Sequence, residues 1–508
     1  MLQGLGIRGK LLAVVAFPTI VLLLAASFVV FNAVTDQSSA RNTDQLVTLV
    51  QDGAAMVQDI QAERGDVLNY LSAVSDGLSK STAAGAAVDS AVATVKAAAA
   101  EDPAYAAAAN GISAAVSGAG GEDGLGTYRE ISTVPDVEGD FAAWPEPAAV
   151  ATAQAGFIRI ADEVEAAAVG APVSDTGNVI RGLADLIRTE GVEIATYLNE
   201  SKQYADALPG DFAKVDSSAP VFLTAAGEVA DRPENASVLE LLVDAERRLG
   251  ELPALREDVR AATVLPGTVD TLYTGIVNGV LTMTRRVADS SANRQLATYL
   301  TAYAAMNELF EAVSIEEDYV TRKIRDGGWF FGEPARFQRL YFGTGNALEN
   351  AKLAVNPLPN IDDVPSFGAS FDVAETNGFQ VIRDRLVVDS TDEGLLDQRN
   401  ADWEVQVEEE LAVMEPIRAE LLTQVKQEAS GLVRNSLVQL LATIAIAAAV
   451  FVVSLVVTLS MARRIINPLR RLTTTATAVR QELPRLVERV ALPGQTVDVS
   501  EVHIPVES

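Results

Sequence analysis

Three arginines fall where an apolar residue is expected. In QAERGDVLNYL, Arg64 continues a stripe of Val57, Ile60, Val67 and Leu71. In LGELPALREDV, Arg256 continues Leu249, Leu252 and Val259. In IEEDYVTRKI, Arg322 follows Ile315 and Tyr319 at spacings of 4 and 3. A second stripe, Phe310, Val313, Val320 and Ile324, would instead turn Arg322 to the side of its helix. A guanidinium is planar, permanently charged and presents forked donors, and its burial without a partner is strongly unfavourable. Two chemistries satisfy such residues. One is the structural salt bridge, for which Glu63, Glu257, Glu316 and Glu317 are close in sequence. The other is a site for a small planar oxyanion, held by short charge-assisted bonds. Converging cations repel one another when the anion is absent and close around it when present, which is the differential affinity a switch requires. The anion reading expects at least two of the three arginines to share a cavity. The salt-bridge reading expects them to lie apart or to pair with carboxylates.

Other chemistries are excluded by composition. There are no cysteines and a single histidine in 508 residues, so disulfides, thiolate metal sites, cysteine nucleophiles and most histidine-based metal or triad chemistry are absent. The histidine, His503, lies in Val-His-Ile-Pro, where the proline opposes a helix, and it reads as a connector residue. The run GAGGEDGLG lacks the Gly-Lys-Ser/Thr of a phosphate-binding loop and reads as a glycine-rich linker. No catalytic activity, metal or cofactor is expected. The net charge of −30, from 39 basic and 69 acidic residues, argues against a nucleic-acid partner.

The elements that position the arginines begin and end in apolar runs. Leu11 to Val34 reads LLAVVAFPTIVLLLAASFVVFNAV, and Leu437 to Ala462 reads LVQLLATIAIAAAVFVVSLVVTLSMA, both without charge. Each is long enough to span the roughly 30 Å hydrocarbon core, and each is read as a transmembrane helix, the first as an uncleaved anchor. Arg8 and Lys10 precede the first; Arg463, Arg464, Arg470 and Arg471 follow the second. Cationic flanks stay cytoplasmic. Residues 1–10 and 463–508 are therefore expected inside the cell and residues 35–436 outside it, in a two-pass inner-membrane protein.

The exterior region is predicted to be helical, over 36–80, 150–170, 176–207, 236–263, 268–288, 291–326, 334–355, 370–390 and 392–436. Residues 82–145 stand apart as an Ala/Gly-rich insert, loose and ending in a flexible loop. Pro416 is expected to kink or end the last helix. Beyond the second span, Leu469, Leu472, Ala476 and Val479 are spaced 3, 4, 3, a coiled-coil seam that needs a partner copy and so predicts a parallel homodimer. Pro468 is placed in the first turn of a new helix there, and VDVSEVHIPVES is read as an extended connector.

Arg463, Asn467, Pro468, Leu469 and Leu472, in the order Arg-x-x-x-Asn-Pro-Leu-x-x-Leu, resemble the first half of a HAMP linker. The chain as a whole resembles the nitrate- and nitrite-sensing (NIT) receptor histidine kinases of actinobacteria. IRGKLLAVVAFPTIVLLL looks like their first anchor, Glu63-Arg64-Gly65 like the first arginine helix, and Leu252-Pro253-x-Leu255-Arg256 like the second arginine motif. Arg322, with Phe337 and Leu340 downstream, stands where the third is expected, with Thr321 where the family pattern has Glu. Trp403 and MEPIRAELL match the helix that returns to the membrane. The resemblance implies an all-α fold of two stacked four-helix bundles, with nitrate or nitrite held by Arg64, Arg256 and Arg322. It implies relay through Pro468, Leu469 and Leu472 to a histidine kinase, and through that to a response regulator. Neither the kinase motifs nor a second HAMP helix occurs in these residues. The competing reading is a membrane-anchored helical scaffold or adhesion protein with no small ligand.

Overall fold

The computed structural model describes residues 7–118, 123–131, 144–358, 367–388 and 400–490, and among them there is no strand. The thirteen α-helices among these residues are α1 (Ile7–Glu101), α2 (Ala106–Ser117), α3 (Leu125–Glu130), α4 (Pro147–Ala167), α5 (Asp175–Ala230), α6 (Ala236–Leu249), α7 (Leu252–Arg260), α8 (Pro266–Ser290), α9 (Arg294–Asp326), α10 (Glu333–Val355), α11 (Phe367–Ala374), α12 (Gly378–Val388) and α13 (Asn400–Val490). The all-α expectation holds.

The chain divides into two compact units, Met1–Arg41 with Gly431–Ser508, and Asn42–Ser430. The first contains the apolar segments of α1 and α13. These helices are long and apolar enough to cross a membrane. Leu24, Phe28, Ile446 and Val453 are more than half exposed, as lipid-facing residues would be. Ser436 Oγ donates to Gln37 Oε1 at 2.9 Å within this unit.

The second unit is built along α1 and α5. The end of α1 meets α3 and α5, and α4 packs against α2, α3 and α5 beside it, with Val88, Val95, Ile112, Phe157 and Ile187 buried. Here the structure corrects the loose insert. Residues 82–101 continue α1 without a break, because Val88, Val92 and Val95 keep a helical stripe through the alanines. Parts of the 82–145 segment, residues 119–122 and 132–143, lie outside the described residues. A second group forms where the middle of α1 and the latter half of α5 meet α6 to α10. Its packed pairs include α6 with α8, α8 with α9, and α9 with α10.

Prolines end fewer helices than the sequence suggests. α5 continues through Pro209 and Pro220 rather than stopping near residue 207. Buried Leu208, Phe212, Val215 and Phe222 hold its inner face on both sides of the prolines. α13 likewise passes through Pro416 and Pro468 as one helix, so no new helix begins at Pro468. The fixed φ of proline is itself helical. Each such residue removes one backbone bond and adds a local clash, which strongly helical flanks can absorb. Leu472 is exposed; the side chains of Pro468 and Leu469, and all of the VDVSEVHIPVES connector with His503, lie outside what the structure describes.

Candidate functional site

The core of the second group is ionic. Arg64, on α1, has no exposed surface. Its Nη1 donates to Glu311 Oε1 at 2.6 Å and to Thr274 Oγ1 at 3.2 Å. Its Nε donates to Asp318 Oδ2 at 3.0 Å, and its Nη2 to Ser314 Oγ at 3.0 Å. The two carboxylates, with Asp270 beyond them, hold the guanidinium above its ordinary range against the opposing effect of burial.

Arg256, on α7, is served by the residue next to Arg64. Its Nε and Nη2 reach Glu63 Oε1 and Oε2 at 2.7 and 2.6 Å, a bidentate pair. Nη1 donates to Asp216 Oδ1 at 2.6 Å. The Tyr273 hydroxyl also donates to Glu63 Oε1, at 2.5 Å. Glu63 and Arg64 are neighbours in the chain, but neighbours on a helix point apart. One therefore serves α7 and the other α9.

A third buried arginine, Arg383 on α12, was not singled out from the sequence. It pairs with Glu316 Oε1 at 2.6 Å and donates to Gln380 Oε1 and Tyr341 O at 2.7 and 2.8 Å. Glu316, a sequence-adjacent candidate partner for Arg322, is thus committed elsewhere.

Arg322 differs from all of these. Its Nε donates to the Asp318 carbonyl at 2.9 Å, one turn back on α9, and among the described residues it makes no ion pair. Burial holds its guanidinium below the usual range, with partial compensation from Asp318 and Asp270. It faces a cavity of about 240 Å³ bounded by α1, α8, α9 and α10. Ser72, Ser75 and Asp76 come from α1, and Pro266, Gly267 and Asp270 from the start of α8. Tyr319, Arg322, Lys323 and Asp326 come from α9, and Glu333 and Arg336 from α10.

The other charges in this cavity are paired, but with one carboxylate more than the two cations, Lys323 and Arg336, even with Asp76 uncharged. Lys323 pairs with Asp326 and, at 3.0 Å, with Glu333; Arg336 pairs with Asp270 at 3.3 Å. Burial, then the hydrogen bond and charge of Asp326, push Asp76 up to about 7. Asp326 is held low despite burial by its hydrogen bonds with Asp76 and Lys323. The two carboxyls therefore share a proton near neutrality. With Asp76 protonated, Arg322 offsets the remaining carboxylate without pairing to it, and the N-terminus of α8 adds partial positive charge. That helix starts at Pro266 with no side-chain cap. Thr268 and Val269 donate to the Leu265 carbonyl, and among the described residues nothing accepts from the Gly267 N–H. An uncapped helix N-terminus carries partial positive charge and orphan donors.

Of the three arginines expected to face a common cavity, only Arg322 lines this one. Arg64 and Arg256 are closed off by carboxylates: Arg64 because α9 presents Asn307, Glu311, Ser314, Asp318 and Arg322 at spacings of 4, 3, 4 and 4 along one inward face, and Arg256 by Glu63 of α1 and Asp216 of α5. That periodic polar stripe was visible in the sequence, but acidic stripes usually mark a solvated face. Lys323, Arg336 and the start of α8 were not singled out. Their role depends on folding together segments remote in sequence.

Residues 192–426 match the family model described as nitrate and nitrite sensing, NIT. The match includes Arg256, Arg322 and Arg336, and begins after Arg64. No curated protein and no solved structure matches the chain.

Proposed function

With a NIT domain at residues 192–426 as premise, we propose that the protein is a membrane receptor for nitrate or nitrite whose ligand enters the α1–α8–α9–α10 cavity and is held by Arg322. The observation carrying this reading is a cavity-lining guanidinium whose terminal nitrogens lack an ion pair among the described residues, beside an uncapped helix start. A planar monovalent oxyanion fits that demand. Two of its oxygens can take the guanidinium fork, and the Gly267 amide and the Ser75 hydroxyl of α1 can serve the third, Ser72 being spent on Asp76. Arg64 and Arg256 then act as the fixed ionic core that sets the positions of α1, α7 and α9, rather than as direct ligands.

Output follows from α9. Its first turn touches α13 through Gln295 Nε2 and Glu428 Oε1 at 2.7 Å. A shift of α9 on anion binding would be felt by the helix leading into the second apolar segment. In the proposed full system that helix passes the signal through the HAMP-like stub around Pro468, Leu469 and Leu472, in a homodimer, to a histidine kinase and its response regulator. The chain itself acts by binding rather than catalysis.

A thermal-shift titration of the full chain in detergent micelles tests the reading. Nitrate or nitrite, against chloride at matched ionic strength, should stabilise by about 2.7 kcal/mol at a hundredfold excess over Kd. Arg322→Gln should remove the shift while leaving the ligand-free protein folded. No anion-specific shift would favour the helical scaffold or adhesion reading.

A further inference from the structure

The α9–α10 loop, Gly327–Gly332, carries two exposed aromatic rings beside the anion cavity. Phe331 is fully exposed and Phe330 two-thirds exposed, at 108% and 67%. The loop is hinged at both ends: Gly327 has φ +75° and Gly332 φ +86°, in the left-handed region that glycine enters without penalty. Between the hinges the Trp329 ring is anchored against Tyr319 and Phe337, with centroids 6.3 and 5.8 Å away.

The loop is tied to the residues that line the cavity. Lys323 Nζ lies 5.2 Å from the Phe330 ring centre, and the Phe330 N–H donates to Glu333 Oε2 at 2.8 Å. Lys323 and Glu333 both face the cavity and pair with each other. Drawing Lys323 toward a bound anion would therefore remove its contact with the Phe330 ring and its pair with Glu333, leaving the loop held there by the Phe330 N–H bond alone. The cavity, at about 240 Å³, has room for several waters besides a small anion. In that state the attraction of Arg322 for an anion is weakened by solvent, and it strengthens as water is expelled.

We propose that Gly327–Gly332 is a lid that swings Phe330 and Phe331 over the cavity when an anion binds, and that these rings set which anions are accepted. This rests on the cavity being the anion site. Closure replaces water with aromatic surface. An anion must then surrender hydration, which a weakly hydrated monovalent planar oxyanion does more readily than a strongly hydrated divalent one such as sulfate. Arg322 supplies attraction to either class; the lid supplies the discrimination.

The test uses the full chain in detergent micelles, with calorimetric titration of sodium nitrate and sodium sulfate and timed chymotrypsin digestion. Chymotrypsin should cut after Phe330 or Phe331 in the ligand-free protein, and nitrate should slow that cut. Phe331→Ser and the double variant Phe330→Ser/Phe331→Ser remove exposed rings and should fold normally. In the double variant nitrate affinity should fall roughly tenfold and sulfate affinity little, so the preference collapses. Binding of nitrate that depends on Arg322, with an unchanged nitrate-to-sulfate ratio in both variants or no protection from cleavage, overturns the lid and leaves the site standing. Failure of wild type to bind nitrate or nitrite overturns both.

Discussion

Arg64 and Arg256 are buried charges whose neutralisation is local and complete. Truncating either would strand carboxylates that have no route to solvent: Glu311 beside Arg64, and Glu63, which is fully buried, beside Arg256. Breaking a buried pair in this way typically loses about 3–5 kcal/mol. Arg64→Ala and Arg256→Ala should each lower the unfolding free energy of the domain by that amount, read by chemical unfolding followed by circular dichroism. A ligand-free protein that is unchanged or stabilised would mean that the arginines repel one another, as direct anion ligands would. The apolar stripes made the burial of these two residues legible in the sequence. Their partners were not legible, since Glu63 sits next to Arg64 in the chain yet bonds to α7, and Glu311 and Asp318 are about 250 residues from Arg64.

At the level of elements, the joint between α7 and α8 fixes where the uncapped helix start meets Arg322. Ala262 sits in that joint with φ 50°, in the left-handed region. Its N–H closes on Val259 O at 2.9 Å and the Thr263 N–H on Asp258 O at 3.0 Å, the arrangement that ends many helices at a glycine. A β-carbon is strained there, so Ala262→Gly should stabilise the protein by up to about 1 kcal/mol, less the greater freedom glycine gives the unfolded chain. A raised melting temperature with unchanged anion affinity is the expected outcome; destabilisation would show that the joint is not held as described. The helices themselves were largely readable, because long apolar periodicities at 268–288 and 291–326 become α8 and α9 with ends shifted by only a few residues. Boundaries at prolines differ from the expectation. Pro209 and Pro416 oppose helix locally, but the buried Leu208 and Phe212, and Met414 and Ile417, hold their turns in register through tertiary packing. The single segment expected over 236–263 instead breaks at Gly250 and Glu251 into α6 and α7, which places Arg256 on a short helix of its own.

For the molecule as a whole, the excess of acid is partly absorbed by protonation. Burial, reinforced by neighbouring acids, pushes Asp66 and Asp76 up to about 7 and Glu317 up to about 8, and burial raises Glu410 to about 7. In the unfolded chain such groups titrate near 4. The folded state therefore binds more protons between these limits, and its stability falls as pH rises through about 7 to 8. Melting should occur at a higher temperature at pH 5.5 than at pH 8.5, at constant ionic strength; the opposite order would mean these carboxyls are ionised in the fold. Topology is testable by labelling, because a chain without cysteine reports a single introduced thiol cleanly. Val173, 92% exposed in the turn before α5, belongs to the large unit; Leu472, 66% exposed, follows the second apolar segment and its arginines. Cationic flanks on both apolar segments argue that the stub stays in the cytoplasm and the large unit outside. In intact cells, Val173→Cys should react with a membrane-impermeant maleimide and Leu472→Cys should react only after permeabilisation. If the seam after the second span pairs two copies, Leu472→Cys should also give a disulfide-linked dimer on oxidation of isolated membranes. Labelling of Leu472→Cys from outside, with Val173→Cys protected, would place the sensing domain in the cytoplasm and make its ligand an intracellular anion.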